Sequence, residues 1–138
     1  MVWREGNKKI VFTNGCFDIL HVGHIKYLEE AKKYGDVLVI GLNSDESVKK
    51  LKGKDRPINS QQDRLKVLFN LKSVDCVILF NEKTPLNLIK KIMPDVLVKG
   101  GDYKKDEVVG NKIVKKTLIL SFIKGKSTSR LINKIKKL

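Results

Sequence analysis

The stretch GCFDILHVGH, from Gly15 to His24, holds the only two histidines of this 138-residue chain. It follows an apolar run, KIVF, that is typical of a buried strand. Gly15 permits a sharp turn that brings backbone amides close to a ligand. His21 and His24 are three residues apart, so at the start of a helix both imidazoles would face an anion at the helix N-terminus. The pattern predicts a phosphate site in which both histidines donate hydrogen bonds.

Two other interpretations of this stretch stay open. Cys16, His21 and His24 are acceptable zinc ligands, although a structural zinc site needs four, and the other cysteine, Cys76, belongs to a different predicted strand. Alternatively, the histidines only cap or pack a helix. A glycine turn and Asp18 lie in the same short stretch, and this combination favours the phosphate site, with no metal site expected.

Five apolar runs have the composition of buried parallel strands. They are KIVF near Ile10, VLVIGL from Val37, CVILF from Cys76, DVLVKG from Asp95 and TLILSF from Thr117. Segments of helical period alternate with them, with N-caps predicted at Ser60 and, ahead of Pro85, at Thr84. The alternation predicts an α/β protein with a Rossmann-like three-layer fold, a parallel five-stranded sheet and a single domain over residues 1–138.

Ligands of such sheets bind beyond the carboxyl ends of the strands, where the strand order reverses. Four predicted loops follow strands in this way, at 13–18, 43–45, 100–103 and 124–129. We expect all four loops to open on one edge of the sheet.

The formal charge of +14 favours an anionic partner. The excess is mostly scattered lysine, whereas nucleic-acid readers favour arginine forks and stacking aromatics, so we expect no nucleic acid. No uncharged run approaches the roughly 20 residues of a spanning helix, and the first residues lack the features of a signal peptide. Two unpatterned cysteines suggest reduced thiols. We therefore expect a soluble, cytoplasmic protein with no membrane partner.

The stretch GCFDILHVGH resembles the first signature of the HxGH-type nucleotidyltransferases, the cytidylyl- and adenylyltransferases. Over roughly residues 8–132 the chain also resembles the adenylyltransferase domain of the bacterial ADP-heptose pathway, through GLNSDESVKKLKGKDRPINSQQDRLKVL, TPLNLIKKIMPDVLVKGGDYKKDEVVG and STSRLI. The resemblance implies transfer of AMP from ATP to D-glycero-β-D-manno-heptose 1-phosphate. The products would be pyrophosphate and ADP-heptose, a precursor of the lipopolysaccharide core.

The same resemblance implies the partners and the mechanism. The acceptor phosphate would attack the α-phosphorus of ATP directly, with Mg²⁺ offsetting the triphosphate charge. The family commonly forms homodimers, so a homodimer is expected. A kinase domain is often fused ahead of this domain in the family; we expect none here, and we expect a separate sugar kinase to supply the sugar phosphate.

The resemblance also assigns site residues by position. The catalytic residues would be His21, His24, Lys52 and Arg64. The nucleotide-binding residues would be Asn14, Gly15, Cys16, Phe17, Gly100, Gly101, Asp102, Ser127, Thr128 and Ser129. The substrate-binding residues would be Asp18 and Lys54.

Several of these residues have specific implied roles. Lys52 would lie on a mobile loop that closes on the reacting phosphates, with Lys54 as the alternate. Arg64 would reach the triphosphate with its forked donors, and Asp102 would bind a ribose hydroxyl. Asp18 would orient its loop or meet the substrate, or else cap the helix that begins near Val22.

Three alternatives stay open on the sequence alone. They are a GTP-using guanylyltransferase for the α-anomer, a glycerol-3-phosphate cytidylyltransferase, and a non-catalytic module that binds nucleotide or nucleic acid. The segment before the last strand is shorter than the family pattern, and Lys124 and Lys126 depart from it. These two lysines are expected to alter the phosphate end of the site.

Overall fold

The computed structural model describes residues 6–121 and 127–138, so Lys124 and Lys126 lie outside the described residues. Within these ranges, one or two helices separate each strand from the next. The strands are β1 Ile10–Gly15, β2 Val37–Asn43, β3 Cys76–Phe80, β4 Val96–Gly100 and β5 Lys116–Leu120. The α-helices are α1 Val22–Lys32, α2 Asp45–Lys52, α3 Gln61–Phe69, α4 Leu86–Ile92 and α5 Thr128–Lys136, with a short 3-10 helix at Lys105–Glu107.

The five strands form one parallel sheet in the order β3-β2-β1-β4-β5. The chain runs outward from β1 to β3 and then returns to place β4 on the other side of β1. The strand order therefore reverses between β1 and β4, whose last residues are Gly15 and Gly100. Ligands of open α/β sheets bind at this point. The predicted Rossmann-like fold is confirmed.

Side chains alternate between the two faces of the sheet and form two separate cores. On the first face, the strands pack against α1 and α3 through Val11, Leu28, Ala31, Leu38, Ile40, Leu42, Leu68 and Val98. On the second face, they pack against α4 through Ile10, Phe12, Val39, Ile89, Ile92 and Leu97. The sheet is thus buried on both sides, which explains why its strands read as continuous apolar runs.

One glycine in the central sheet makes the second core possible. A Cβ added at Gly41 would lie 2.7 Å from the ring atom Cζ of Phe12. Because Phe12 is fully buried in a close-packed core, its ring has no space into which it could move aside. A glycine in β2 therefore gives the largest core side chain of β1 its space.

Two helices differ from the sequence-based expectation. Helix α2 was not predicted, because its apolar stripe is narrow, yet Ser44 caps it by accepting the Ser47 N–H at 3.2 Å. Lys52 is consequently the last residue of a helix, which ends at Gly53 with φ 99°. Helix α4 begins at Leu86 with Pro85 at the N-cap, so the predicted Thr84 cap was wrong. The predicted cap at Ser60 is confirmed.

Candidate active site

A cavity of about 600 Å³ opens at the carboxyl edge of the sheet and is lined from all four predicted loops. The sequence-predicted residues that line it are Asn14, Gly15, Cys16, Phe17, Asp18, His21, His24, Lys52, Gly100, Ser127, Thr128 and Ser129. Those that do not line it are Lys54, Arg64, Gly101 and Asp102. The switch point of the sheet thus brings together most of the predicted site.

The two histidines form a capping box at the start of α1. The Nδ1 atom of His21 accepts the Gly23 N–H at 3.0 Å, and Nδ1 of His24 accepts the His21 N–H at 3.2 Å. Imidazoles here take the places that serine and glutamate usually occupy. A ring nitrogen that accepts a hydrogen bond carries no proton, so each ring, when neutral, holds its proton on Nε2. Capping and phosphate binding are therefore compatible, because they use opposite edges of the ring.

The environment of His24 keeps it neutral. Burial, the neighbouring His21 and the positive charge of Lys52 together lower the pKa of His24 to about 4. The ring centroids of the two histidines are 4.1 Å apart. At neutral pH His24 is thus a hydrogen-bond donor through Nε2, ready for a phosphoryl oxygen.

This depressed pKa predicts an acid-sensitive fold. Between about pH 6.5 and pH 4 the unfolded chain binds a proton at His24 that the folded chain does not, so the free energy of unfolding falls as pH is lowered through this window. NMR titration of the ligand-free protein should give His24 a midpoint near 4. His24→Gln should flatten the pH dependence of stability in this window. A midpoint near the ordinary value of about 6.5 would contradict the assignment.

The loop between β1 and α1 is held in a strained shape. Phe17 has φ 44°, a left-handed conformation that costs a non-glycine residue about 1 kcal/mol. Its ring is buried in the first-face core, with its centroid 5.7 Å from that of His24. Burial raises the pKa of the neighbouring Cys16 thiol. Packing therefore fixes a loop that offers backbone groups and a neutral thiol to the cavity.

Asp18 holds a neighbouring loop to the site. Its buried carboxylate accepts the N–H groups of Ile58 and Asn59 at 2.7 and 2.9 Å and pairs with Nε of Arg56 at 3.4 Å. The helix-cap interpretation of Asp18 was wrong, because His21 occupies the N-cap. Asp18 orients the segment 56–59 against the β1–α1 loop.

Asp18→Asn should loosen this segment, since an amide NH₂ cannot accept a backbone hydrogen bond. We expect hydrogen exchange at the Ile58 and Asn59 amides to speed up about tenfold or more. Asp75→Asn is the matched control, because the Asp75 carboxylate accepts the Leu38 N–H at 2.7 Å at the opposite edge of the sheet, where β2 and β3 begin. Equal exchange at Ile58 and Asn59 in the two variants would contradict the role of Asp18.

Arg64 does not point at the cavity, contrary to the prediction that it reaches the triphosphate. Its guanidinium is buried and donates to the carbonyl oxygens of Cys16, Asn43 and Asn59 at 2.7, 2.8 and 3.0 Å. It also pairs with Asp45 at 2.8 Å. These contacts occupy four of the five guanidinium N–H donors and tie together three loops of the site, so Arg64 is a positioning residue in this structure.

The last helix meets the histidine loop through its first residues. Ser127 caps α5 by accepting the Arg130 N–H at 3.1 Å, and the Thr128 hydroxyl donates to the Ile19 carbonyl at 3.0 Å. The predicted start of this helix is confirmed. Its amides and the Ser129 hydroxyl remain candidates for phosphate contacts at a helix N-terminus.

Sequence reasoning missed two partly buried polar groups near the switch point, Tyr27 and Lys99. The Tyr27 hydroxyl lies 2.7 Å from the Thr13 hydroxyl and donates to the Val98 carbonyl at 3.3 Å, and burial raises the pKa of Tyr27 to about 12. It links α1 to β1 and β4 beneath the cavity. Lys99 lines the cavity from β4. In the sequence, Lys99 stands out only as a charged residue inside an otherwise apolar strand.

The fold and the site together define a nucleotidyltransferase, in which a Rossmann-like sheet presents a histidine pair at its switch point. The chain belongs to the cytidylyltransferase-like family, whose family model matches residues 12–132. The match spans the HVGH element and all five strands except the first two residues of β1. No helix in the described part of the chain has the length and apolar composition to cross a bilayer.

Two curated relatives and one solved structure are similar to this chain. The bifunctional protein HldE of Campylobacter concisus is 63% identical over 133 residues, covering 96% of this chain and 28% of that protein. HldE of Aliarcobacter butzleri is 62% identical over 128 residues, covering 93% and 27%. The chain thus spans little more than a quarter of these relatives. A lipopolysaccharide core biosynthesis protein from Thermoplasma volcanium is 34% identical with a TM-score of 0.72, covering 84% of this chain and 98% of that one.

Proposed function

We propose that this nucleotidyltransferase transfers AMP from ATP to D-glycero-β-D-manno-heptose 1-phosphate, giving ADP-heptose and pyrophosphate. The observation that carries the chemistry is the pair of imidazoles whose Nδ1 atoms are fixed by the backbone, which leaves Nε2–H as the donor on each ring. The sugar assignment is supported by similarity to bifunctional HldE proteins and to a lipopolysaccharide core biosynthesis protein.

The reaction is a single displacement at phosphorus. An oxygen of the acceptor phosphate bonds to the α-phosphorus of ATP while the bond to the α–β bridging oxygen breaks, and its electron pair leaves with pyrophosphate. The phosphate nucleophile is already anionic, so no general base is needed, and because it attacks the α-phosphorus directly, no covalent intermediate forms. Catalysis then consists of alignment and stabilisation of spreading negative charge. Mg²⁺ would enter as part of the MgATP substrate and would offset part of the triphosphate charge.

Each part of the site has a role in this scheme. The Nε2–H groups of His21 and His24 donate to phosphoryl oxygens as charge builds, and one such donor is worth about 3 to 4 kcal/mol. The loop 15–17 and the start of α5 supply amides to the nucleotide. Lys52, at the end of α2, offsets the charge on the reacting phosphates.

Lys52 and Lys54 form a natural test pair, because Lys52 lines the cavity and Lys54 does not. Lys52→Ala should lower kcat about tenfold to a hundredfold, the cost of one charge-assisted contact in the transition state. Lys54→Ala should stay within about twofold of the parent enzyme. Steady-state kinetics at saturating ATP would measure both, and equal losses would contradict the role of Lys52.

Product analysis tests the proposed function itself. The protein is incubated with MgATP and the β-heptose 1-phosphate, and ³¹P NMR follows pyrophosphate and a nucleoside diphosphate sugar. We expect the two products in equal amounts, and neither of them without acceptor. Pyrophosphate without a diphosphate sugar would indicate hydrolysis and would contradict transfer.

Two further proposals concern partners. The acceptor carries a phosphate at its anomeric carbon, and we propose that a separate sugar kinase supplies it. We also propose a homodimer, supported by the exposed apolar side chains of Val67 and Phe69, which are 51% and 57% accessible. Light scattering of the purified protein would give the mass directly.

A further inference from the structure

The cavity extends past the histidines onto the second face of the sheet. Along β4, Val98 packs in the first-face core and Leu97 in the second, so alternation directs Lys99 to the second face. Thr84 lies just before α4, which packs on that face, and Val108 is buried in its core. We call this part of the cavity the second lobe, and the residues of its wall used below are Thr84, Lys99, Tyr103 and Glu107.

Lys99 is the distinctive group of the second lobe. Its ammonium lies 5.1 Å from the centroid of the Tyr103 ring, and burial lowers the pKa of Lys99. In residues 6–121 and 127–138 it forms no ion pair with a carboxylate. A partly desolvated ammonium without a carboxylate partner is a strong binding point for an anion that enters the lobe.

The other walls of the lobe suit a sugar. Tyr103 is 46% exposed and offers an aromatic face on which the C–H groups of a sugar ring can pack, with a hydroxyl at its edge. The Glu107 carboxylate and the Thr84 hydroxyl add groups that bind sugar hydroxyls. By contrast, the histidine side of the cavity holds imidazoles, loop amides and a helix N-terminus, which suit a triphosphate.

We infer that the second lobe is the acceptor site, where Lys99 binds the phosphate of the sugar phosphate, Tyr103 packs on its ring and Glu107 binds its hydroxyls. This inference rests on the proposed function, since it names the place of the second substrate. Asn14, the last residue but one of β1, and Gly100, the last residue of β4, line the cavity where these neighbouring strands end. The acceptor phosphate would therefore meet the α-phosphorus at the switch point.

Steady-state kinetics test the lobe assignment. Lys99→Gln and Tyr103→Ala should each raise the KM for the sugar phosphate about tenfold or more while the KM for ATP stays within about twofold. Lys99→Arg should recover part of the loss. Lys116→Gln is the matched control, because the Lys116 ammonium lies 5.8 Å from the Tyr34 ring, outside the cavity. A raised KM for ATP alone, or a Lys99→Gln variant that behaves like Lys116→Gln, would overturn the inference.

A binding measurement separates this inference from the proposed function. Amide NMR shifts are recorded with D-glycero-β-D-manno-heptose 1-phosphate and, separately, with α,β-methylene-ATP. We expect the sugar phosphate to shift the amides of Tyr103 and Glu107, and the nucleotide analogue to shift those of loop 15–17. Shifts at Tyr103 and Glu107 without any turnover would keep the lobe and reject the proposed function. Turnover without these shifts would reject the lobe and keep the function.

Discussion

The His24→Ala variant is expected to lose at least about a hundredfold in kcat while it remains folded. Alanine removes the Nε2–H donor to the phosphoryl group, and it also removes the Nδ1 acceptor for the His21 N–H. The first loss acts on the transition state and the second on the start of α1. Steady-state kinetics together with denaturant unfolding would record both effects.

Two further substitutions separate these roles of His24. Glutamine and glutamate both occur at this position of a capping box, so His24→Gln and His24→Glu should keep the acceptor for the His21 N–H. His24→Gln also keeps a donor and should be more active than His24→Ala. His24→Glu should be folded and the least active, because a carboxylate repels phosphate. A loss of less than about threefold in His24→Ala would contradict the catalytic assignment.

Replacing Arg64 with methionine should lower the free energy of unfolding by about 3 kcal/mol. Methionine approximates the volume but leaves the buried carbonyl oxygens of Cys16 and Asn43 without their donor. Denaturant unfolding would measure the change as a shift in midpoint. Arg130→Met is the matched control, since Arg130 lies exposed on α5 and should change stability by less than about 0.5 kcal/mol.

The same variant distinguishes two roles for Arg64. If Arg64 positions the loops, Arg64→Met lowers both stability and kcat, and Arg64→Lys recovers little, since an ammonium cannot make the fork of hydrogen bonds. A stable Arg64→Met variant with only a raised KM for ATP would contradict positioning and support direct contact with the triphosphate.

The sheet and most of the cavity could be predicted because they depend on local patterns. Each buried parallel strand reads as a continuous apolar run, and the loops after such strands must converge at one edge. Asn14 to Asp18, Gly100 and Ser127 reached the cavity for that reason. Helix α2 escaped prediction because capping by Ser44, rather than a broad apolar stripe, defines it.

Side-chain direction could not be predicted in the same way. Arg64 follows a loop that could open to a ligand. Only the three-dimensional structure shows that its guanidinium donates instead to backbone carbonyl oxygens of distant loops. The second lobe beside Lys99 could be recognised only from the alternation of side chains along β4 and from the position of α4. Both depend on contacts between segments far apart in sequence, which periodicity does not encode.

Pyrophosphate release tests the central claim most directly. The protein is supplied with Mg²⁺ and ATP, GTP or CTP, each with β-heptose 1-phosphate, α-heptose 1-phosphate, glycerol 3-phosphate or no acceptor. We predict release with ATP and the β-sugar phosphate alone. Release with another pair would keep the mechanism and change the substrate. If folded protein released no pyrophosphate with any pair, that result would contradict nucleotidyl transfer to these acceptors.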